Sequence, residues 1–195
     1  MRIIAGRYKG RNLKSPPSTE TRPTSDRLRE TLFNVISPFL AGARFLDLCA
    51  GSGAVGIEAL SRAAAHSTFV DRSRQMSELI ETNLRLCRIE PADFAIVTAD
   101  AIDFLRKQIK RSPPGWDLIF FDPPYADDHL VVLEALGVFA HALINEEGVL
   151  IVEHHHKTTL PESCGEIERY RVLKQGESSL SFYRRKRNSV GSSDG

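Results

Sequence analysis

The sequence has few cysteines. Its 195 residues include three cysteines, Cys49, Cys87 and Cys164, which are scattered and lack C-x-x-C spacing. This pattern fits reduced thiols and not a disulfide framework or a zinc site. Residues 154–156 are three consecutive histidines. Because neighbouring residues on a strand point to opposite faces, they cannot easily converge on one ion, and no metal site is expected.

Long apolar runs are also missing. No stretch approaches the length needed to cross a membrane, and the first residues lack the apolar segment of a signal peptide. We therefore expect a cytoplasmic protein without a membrane partner. The length and the ordinary apolar content are enough for one globular domain with a core, plus an appendage.

No charge of one sign dominates the whole chain, but the basic residues are unevenly placed. Residues 1–37 hold eight basic and three acidic side chains, and Arg184–Arg187 form a second basic run. The asymmetry indicates either a polyanionic partner that approaches the terminal segments or two solvated surface stretches. Charge alone does not decide between them.

The apolar pattern predicts an alternation of strands and helices after an N-terminal arm. Residues 1–20, punctuated by Gly6 and Gly10, predict a small β-hairpin arm, and Thr24 or Ser25 caps a helix that ends before Pro38. Strands are predicted at 44–48, 67–70, 94–98, 116–121, 149–153, 168–173 and 179–184. Helices are predicted at 53–62, 73–88, 101–110 and 128–140.

This order is typical of an α/β fold, a doubly wound sheet with helices on both faces. The last two strands have no helix between them, so they predict an antiparallel pair at the sheet edge. Residues 21–187 form the main domain in this interpretation, and the polar residues 188–195 are expected to be a disordered tail.

Four aspartates lie at the ends of four successive predicted strands: Asp47, Asp71, Asp100 and Asp122. In a doubly wound sheet, ligands bind outside the carboxyl ends of the strands. Each aspartate taken singly could be a turn residue or a helix cap, and for Asp100 alone the cap is favoured. Together they indicate a binding site along this edge.

The turn after the first strand has the spacing of a nucleotide-binding loop. Gly51, Gly53 and Gly56 form G-x-G-x-x-G between strand and helix, and Asp71 is placed to accept ribose hydroxyls. A dinucleotide would bring its pyrophosphate close to the negative charge of Asp47, whereas S-adenosylmethionine (SAM) carries a sulfonium and an ammonium. SAM is therefore favoured, with Asp100 accepting from the adenine amine and Ala101 donating its backbone N–H.

The motif Asp122-Pro123-Pro124-Tyr125 follows a buried strand and is suited to a flat ring that bears an amine. The two prolines offer carbonyl acceptors without N–H donors, and Asp122 can accept from an NH₂ group. Tyr125 offers a stacking face. Hydrogen bonds from the amine to Asp122 and to the carbonyl of Pro123 would aim the lone pair of its nitrogen at a methyl donor. Asp122, Pro123 and Tyr125 are therefore the candidate catalytic residues.

The chain resembles the bacterial 16S ribosomal RNA guanine-N2 methyltransferases, which are SAM-dependent enzymes of the D/N-P-P-Y type. The resemblance extends from residue 1 to about 185. The motifs that carry it are Arg2–Gly6, Arg22–Thr24, Arg29–Asn34, Leu46–Gly53, Gly56–Arg62 and Phe120–Tyr125. It implies a seven-stranded, Rossmann-like class I methyltransferase sheet with a small N-terminal β-extension that helps to grip RNA.

The same resemblance implies roles for particular residues. Asp47, Gly51, Gly53, Asp71, Asp100 and Ala101 would line the SAM pocket, while Asp122 and Tyr125 would hold the guanine. The chain departs from the family pattern at Cys49, Ala63, Asp71 and 175–177, without losing a site carboxylate or loop glycine.

The expected substrate is 16S rRNA within the small ribosomal subunit or an assembly intermediate, bound by a monomer. The candidate RNA-binding residues are Arg7, Lys9, Arg11, Arg22 and Arg29. Three alternatives stay open: a DNA adenine-N6 methyltransferase, a non-catalytic ribosome assembly factor that binds SAM or RNA, and a dinucleotide oxidoreductase.

Overall fold

A single mixed sheet of eight strands organises the chain. The structure, a computed structural model, describes residues 1–16, 25–111, 114–123 and 128–187. The strands are β1 (Arg44–Leu48), β2 (His66–Asp71), β3 (Phe94–Thr98), β4 (Trp116–Phe121), β5 (Ile144–His155), β6 (Ser163–Cys164), β7 (Ile167–Gln175) and β8 (Ser178–Arg185). The helices are α1 (Asp26–Ile36), α2 (Ala54–Ser61), α3 (Arg74–Leu86), α4 (Ala101–Arg111), α5 (Asp128–Val138) and α6 (Ala140–Leu143).

The strand order is β3-β2-β1-β4-β5-β8-β7-β6. Strands β1 to β5 are parallel, and β8, β7 and β6 continue the sheet in antiparallel pairs. The predicted doubly wound sheet with an antiparallel edge pair is confirmed. The two-residue strand β6 adds an eighth strand to the seven that were expected.

Helices cover both faces of the sheet, because the central strands are apolar on both sides. On one face, Leu48 and Phe121 pack in a buried cluster with residues of α4, α5 and α6. On the other face, Phe45 and Phe120 pack with residues of α1 and α2, and Phe69 lies in a third cluster with α3 and the N-terminal arm. Within the described ranges, no helix is long and apolar enough to cross a membrane.

Helix α1 begins where the sequence predicts it. The hydroxyl of Ser25 accepts a hydrogen bond from the Leu28 N–H at 3.2 Å, so Ser25 is the cap. The other candidate, Thr24, lies outside the described residues. The helix ends at Ile36 and passes into a short 3₁₀ turn that contains Pro38, which cannot continue the α-helical hydrogen-bond ladder.

Residues 1–16 turn back on themselves and pack against α2. The pairing consists of one isolated antiparallel bridge, Arg2 with Asn12, flanked by hydrogen bonds between Ile3 and both Gly10 and Arg11. The arm is therefore hairpin-like, with less regular strand structure than the sequence suggested. Residues 17–20 of the predicted arm and the predicted tail, 188–195, lie outside the described residues, and the domain boundaries stay a prediction.

Helix α2 approaches the sheet so closely that glycine is needed at position 56. A Cβ at Gly56 would lie 2.3 Å from Phe69 Cε1 and 2.7 Å from Ser67 Oγ. We expect Gly56→Ala to lower the free energy of unfolding by roughly 1–2 kcal/mol, measured by urea denaturation. Overpacking costs roughly 1–3 kcal/mol, and contacts below 3 Å with both side chains argue for the upper part of that range. The gain of about 1 kcal/mol in helix propensity offsets only part of this cost.

The control for this prediction is Gly56→Ala in a Phe69→Leu background. Removing the aromatic ring frees the space that the new methyl group needs, so the second substitution should reduce the loss. An equal loss in both backgrounds would show that the contact with Phe69 is not the cause.

Candidate cofactor and catalytic site

The predicted site residues meet at the carboxyl ends of the parallel strands. Strands β1 and β4 are neighbours, with Leu48 opposite Phe121. The Asp122 N–H donates to the Leu48 carbonyl at 3.4 Å, immediately beyond the last paired residues. This contact places the start of the Asp122 motif beside the glycine loop, so the cofactor and catalytic candidates share one edge.

The loop between β1 and α2 has an unusual backbone. Cys49, Gly51 and Gly53 all adopt left-handed conformations, with φ values of 61°, 54° and 76°. The Gly53 N–H closes a turn onto the Ala50 carbonyl at 2.8 Å. A Cβ added at Gly51 would meet no atom of the described residues within 4 Å, so among these residues nothing fills the space next to this part of the loop.

Cys49 stores backbone strain in this loop. A non-glycine residue in the left-handed region costs of order 1–3 kcal/mol, and such residues cluster at functional sites. Its half-buried side chain packs against the core cluster that contains Leu48 and Phe121.

Asp47 is buried at the base of the loop and does not line its mouth. Asp47 is 2% exposed, and its Oδ2 accepts a hydrogen bond from the Gly56 N–H at 2.8 Å. Burial raises the pKa of Asp47 to about 8; the Gly56 hydrogen bond opposes this rise, and the charge of Asp71 adds to it. The negative charge of Asp71 thus disfavours ionisation of Asp47, and a cation bound nearby would favour it.

Asp71 ends β2 and holds the loop from the other side. Its Oδ2 accepts the Gly51 N–H at 2.9 Å, and its Oδ1 accepts the Ser73 N–H at 2.8 Å. Each carboxylate oxygen has a second lone pair, so both remain able to accept from ligand hydroxyls. The half-buried side chain thus joins the glycine loop to Ser73, the cap of α3.

Asp100 caps α4. Its Oδ1 accepts the Ile102 N–H at 2.9 Å, and its carbonyl accepts the Phe104 N–H at 2.9 Å. This is the cap that the residue suggests when taken singly. The side chain is exposed, and Ala101 follows it in the first turn of α4, at the same edge as the glycine loop.

The structure describes the first half of the catalytic motif. Asp122 is half-buried and Pro123 is buried at the end of β4. Pro124 and Tyr125 lie outside the described residues, so the stacking role of Tyr125 stays a prediction.

Three of the predicted RNA-binding residues, Arg7, Lys9 and Arg11, lie away from this edge. Arg7 and Tyr8 line an open cavity of about 310 Å³ with residues 63–65 and Asp93, which directly precede β2 and β3. Arg7 and Lys9 are exposed, whereas Arg11 is half-buried, donates to the Cys87 carbonyl and stacks 5.1 Å from the Tyr8 ring. These side chains therefore lie at the amino ends of the strands, opposite the glycine loop.

The C-terminal basic run lies at that opposite end too. Arg184 pairs with Val149 in the sheet register, near the point where β5 enters the parallel array, and forms an ion pair with Glu168 at 2.9 Å. Arg185 contacts His141 and the Ile144 carbonyl. Part of this run is thus engaged within the protein.

The structure does not support RNA contact by Arg29. Its side chain is fully buried, and its guanidinium donates to Asp26 Oδ1 at 2.7 Å and to the Arg2 carbonyl at 2.8 Å. Burial lowers the pKa of Arg29, while Asp26 and Glu58 oppose that shift. Arg29 therefore joins α1 to the arm, and the prediction that it faces RNA is wrong for this conformation. Arg22 lies outside the described residues.

Sequence reasoning missed three buried polar residues that hold the arm: Glu58, Ser61 and Asn83. The Glu58 carboxylate accepts the N–H groups of Ile4 and Ala5 at 2.8 and 2.9 Å, and Ser61 Oγ accepts the Tyr8 N–H at 2.9 Å. The signal was a glutamate in the otherwise apolar segment 54–60. A charged residue on such a helix indicates a buried partner.

The three consecutive histidines are divided between interior and surface. His154 is buried and its Nε2 lies 2.9 Å from Ser181 Oγ, whereas His155 and His156 are exposed. Burial lowers the pKa of His154. In the part of the chain that the structure describes, no group of three or more His, Cys, Asp or Glu side chains is arranged to hold a metal ion.

Comparisons with known proteins give one consistent family. A family model described as "Conserved hypothetical protein 95" matches residues 1–184. The chain is 37% identical over 186 residues to "Putative rRNA methyltransferase YlbH" of Bacillus subtilis, covering 95% of this chain and 100% of that protein. It is 33% identical over 198 residues to "Ribosomal RNA small subunit methyltransferase D" of Escherichia coli, covering 100% and 94%.

A solved structure shares the same fold over nearly the whole chain. "Putative methyltransferase yhhF from Escherichia coli" matches with a TM-score of 0.82 at 31% identity, covering 96% of this chain and 99% of that chain. The fold and the loop geometry define a Rossmann-like class I methyltransferase. The chain belongs to the Conserved hypothetical protein 95 family, and the family resemblance seen in the sequence is confirmed.

The burial of Asp47 predicts a stability that falls as pH rises. The pKa is about 8 in the folded state and about 3.9 in an unfolded chain, so between these values the folded state holds the extra proton. Asp47→Asn keeps an acceptor for Gly56 and removes the buried charge. We expect the ligand-free variant to gain stability relative to wild type as pH rises from about 4 to about 8.

The free energy of unfolding of Asp47→Asn should exceed that of wild type by several kcal/mol at most, since each unit of pKa shift corresponds to about 1.4 kcal/mol. Urea denaturation at several pH values measures it, with Asp103→Asn as a matched loss of an exposed carboxylate. A difference between Asp47→Asn and wild type that is independent of pH would contradict the prediction.

Proposed function

We propose that the protein transfers a methyl group from SAM to the exocyclic N2 amine of a guanine in small-subunit ribosomal RNA. The observation that carries the proposal is the 3.4 Å hydrogen bond between Asp122 and Leu48, which joins the amine-binding motif to the glycine loop. A methyl donor in the loop and an amine at Asp122 would then be neighbours. Family membership and the names of the relatives support an RNA substrate.

The residues present fit SAM better than a dinucleotide. Asp71 holds the loop with its carboxylate, and Asp47 lies buried beneath it. A cationic ligand would favour ionisation of Asp47, whereas a pyrophosphate would oppose it. The open space at Gly51 leaves room for the ligand. Asp71 would accept the ribose hydroxyls, while Asp100 and the Ala101 N–H would contact the adenine.

The protein's contribution to the reaction is mainly orientation. When bound, SAM supplies a methyl group on a sulfonium, an electrophile that needs no metal. Asp122 and the Pro123 carbonyl would accept the two N–H bonds of the guanine amine and direct its lone pair toward that methyl group. Asp122 would also be placed to accept the proton that the amine gives up on methylation, or to pass it to water. Tyr125 would stack on the base.

The placement of the arm constrains the RNA. A nucleotide at Asp122 and a phosphate at Arg7 would be separated by about the length of β2, roughly 20 Å at 3.3 Å per residue. RNA that contacts both must therefore extend along α2 and the arm.

Two substitutions separate cofactor binding from chemistry. We expect Asp122→Ala to lower kcat by at least about 100-fold, since it removes a charged hydrogen-bonding partner of the reacting amine, while SAM affinity changes by less than about threefold. Asp71→Ala should weaken SAM binding by about tenfold or more, because it removes the ribose acceptor and frees Gly51. Isothermal titration calorimetry measures the Kd for SAM, and single-turnover kinetics measure the rate of methyl transfer.

The target is tested by mapping. Small subunits from cells that lack this methylation are incubated with tritiated SAM, and the labelled nucleotide is identified; a guanine carrying the label on N2 is expected. Labelling of adenine in DNA would favour a DNA adenine methyltransferase instead. SAM binding without turnover on any subunit-derived substrate would favour a non-catalytic assembly factor. Full activity of Asp122→Ala would overturn the mechanism.

Charge reversal on the arm tests the proposed RNA contact. We expect the double variant Arg7→Glu, Lys9→Glu to raise KM for RNA by about tenfold and to reduce the slope of log affinity against log salt by about 2. The matched control is Lys107→Glu, Lys110→Glu, which reverses two exposed charges on α4 across the sheet. Equal effects of both pairs would indicate general electrostatics and not a contact at the arm.

A further inference from the structure

We propose that the N-terminal arm is part of the cofactor site and that Asn83 is the positioning residue that connects them. Asn83 lies on α3, is fully buried, and contacts the arm and the glycine loop at once. Docking of the arm and binding of the cofactor would then stabilise each other. The inference rests on the proposal that the glycine loop binds SAM.

Three hydrogen bonds fix the Asn83 amide. Its Oδ1 accepts the Lys14 N–H at 2.8 Å, and its Nδ2 donates to the Lys14 carbonyl at 3.1 Å. The other hydrogen of Nδ2 is donated to the Ser52 carbonyl at 2.9 Å. Because Lys14 must face the oxygen with its N–H, the docked arm decides which way the amide points and directs Nδ2 to Ser52.

The orientation of the Ser52 carbonyl affects the conformation of the glycine loop. It belongs to the same planar peptide unit as the Gly53 N–H, so fixing one end of the unit fixes the direction of the other. The Gly53 N–H closes the loop turn onto Ala50. Ser52 also lies between two glycines in left-handed conformations, whose backbone is intrinsically permissive and needs external contacts to stay in one state.

A second contact joins the beginning of the arm to the same residue. Met1 Sδ lies 3.5 Å from Ser52 Oγ and 3.7 Å from Arg29 Nη1. The Met1 carbonyl accepts the Leu13 N–H at 3.0 Å, which links both ends of the arm beside Ser52. The arm thus contacts the loop through a side chain of its own and through Asn83.

The far end of the arm offers a matched control. Ser61 Oγ accepts the Tyr8 N–H and donates to the Ala5 carbonyl, so Ser61→Ala removes buried arm contacts at the end of α2 that lies away from the loop. Like Asn83, Ser61 is buried. A substitution there loosens the arm and leaves the contact with Ser52 in place.

The test compares SAM binding by Asn83→Ala, Asn83→Asp and Ser61→Ala. We expect Asn83→Ala to raise the Kd and KM for SAM by about tenfold, while kcat at saturating SAM stays within about threefold of wild type. Asn83→Asp should weaken binding at least as much, because its carboxylate faces two carbonyls. Ser61→Ala should keep the wild-type Kd despite a comparable fall in Tm.

Hydrogen exchange of wild-type protein gives a test that needs no variant. Saturating S-adenosylhomocysteine should slow exchange of the Lys14 amide at least about fivefold, and more than that of the Tyr8 amide, since coupling between two sites is reciprocal. Unchanged exchange at Lys14, wild-type SAM affinity in Asn83→Ala, or an equal loss of affinity in Ser61→Ala would each overturn the inference. Wild-type protein that does not bind SAM would instead refute the proposed cofactor.

Discussion

The contacts of α2 with β1 and β2 determine the geometry of the rest of the site. Asp47 accepts the Gly56 N–H from inside the sheet, and the absence of a side chain at Gly56 lets the helix rest on Phe69 and Ser67. The chain must cover the short distance from β1 to α2 in five residues, and it does so with three left-handed conformations. The loop shape follows from this close approach.

The same close approach explains why the N-terminal arm packs over α2 as part of the fold. Every residue of α2 is buried, so the side of the helix that faces away from the sheet also needs a cover. The arm supplies it, and Glu58 satisfies two of the arm's backbone N–H groups. A buried carboxylate is tolerated here because it is fully engaged, with Arg62 as a further partner at 2.7 Å. The arm therefore stabilises the fold as well as offering its basic residues to a partner.

The sequence predicted the fold well where apolar runs are continuous and poorly where structure depends on distant partners. The bounds of β1, β3 and β4 were predicted to the residue, because each is a short run dominated by apolar residues. Strand β5 begins earlier than predicted, since residues 145–147 are polar and read as a loop. Strand β6 has only two residues and no period that could reveal it. Arg29 was misjudged because a basic residue in a basic segment suggests solvent, while its partners lie in another part of the chain.

Electrostatics connects these features to the proposed reaction. A buried carboxyl with a pKa of about 8, next to the charge of Asp71, means that the ligand-free site favours protonation of Asp47. A cationic ligand reverses this preference, because it stabilises the ionised form that burial disfavours. Under the proposed function, the SAM cation would offset the cost of this buried carboxyl. A site that is unfavourable when empty in this way discriminates against neutral and anionic ligands by charge, before any contact with the adenine or the ribose contributes.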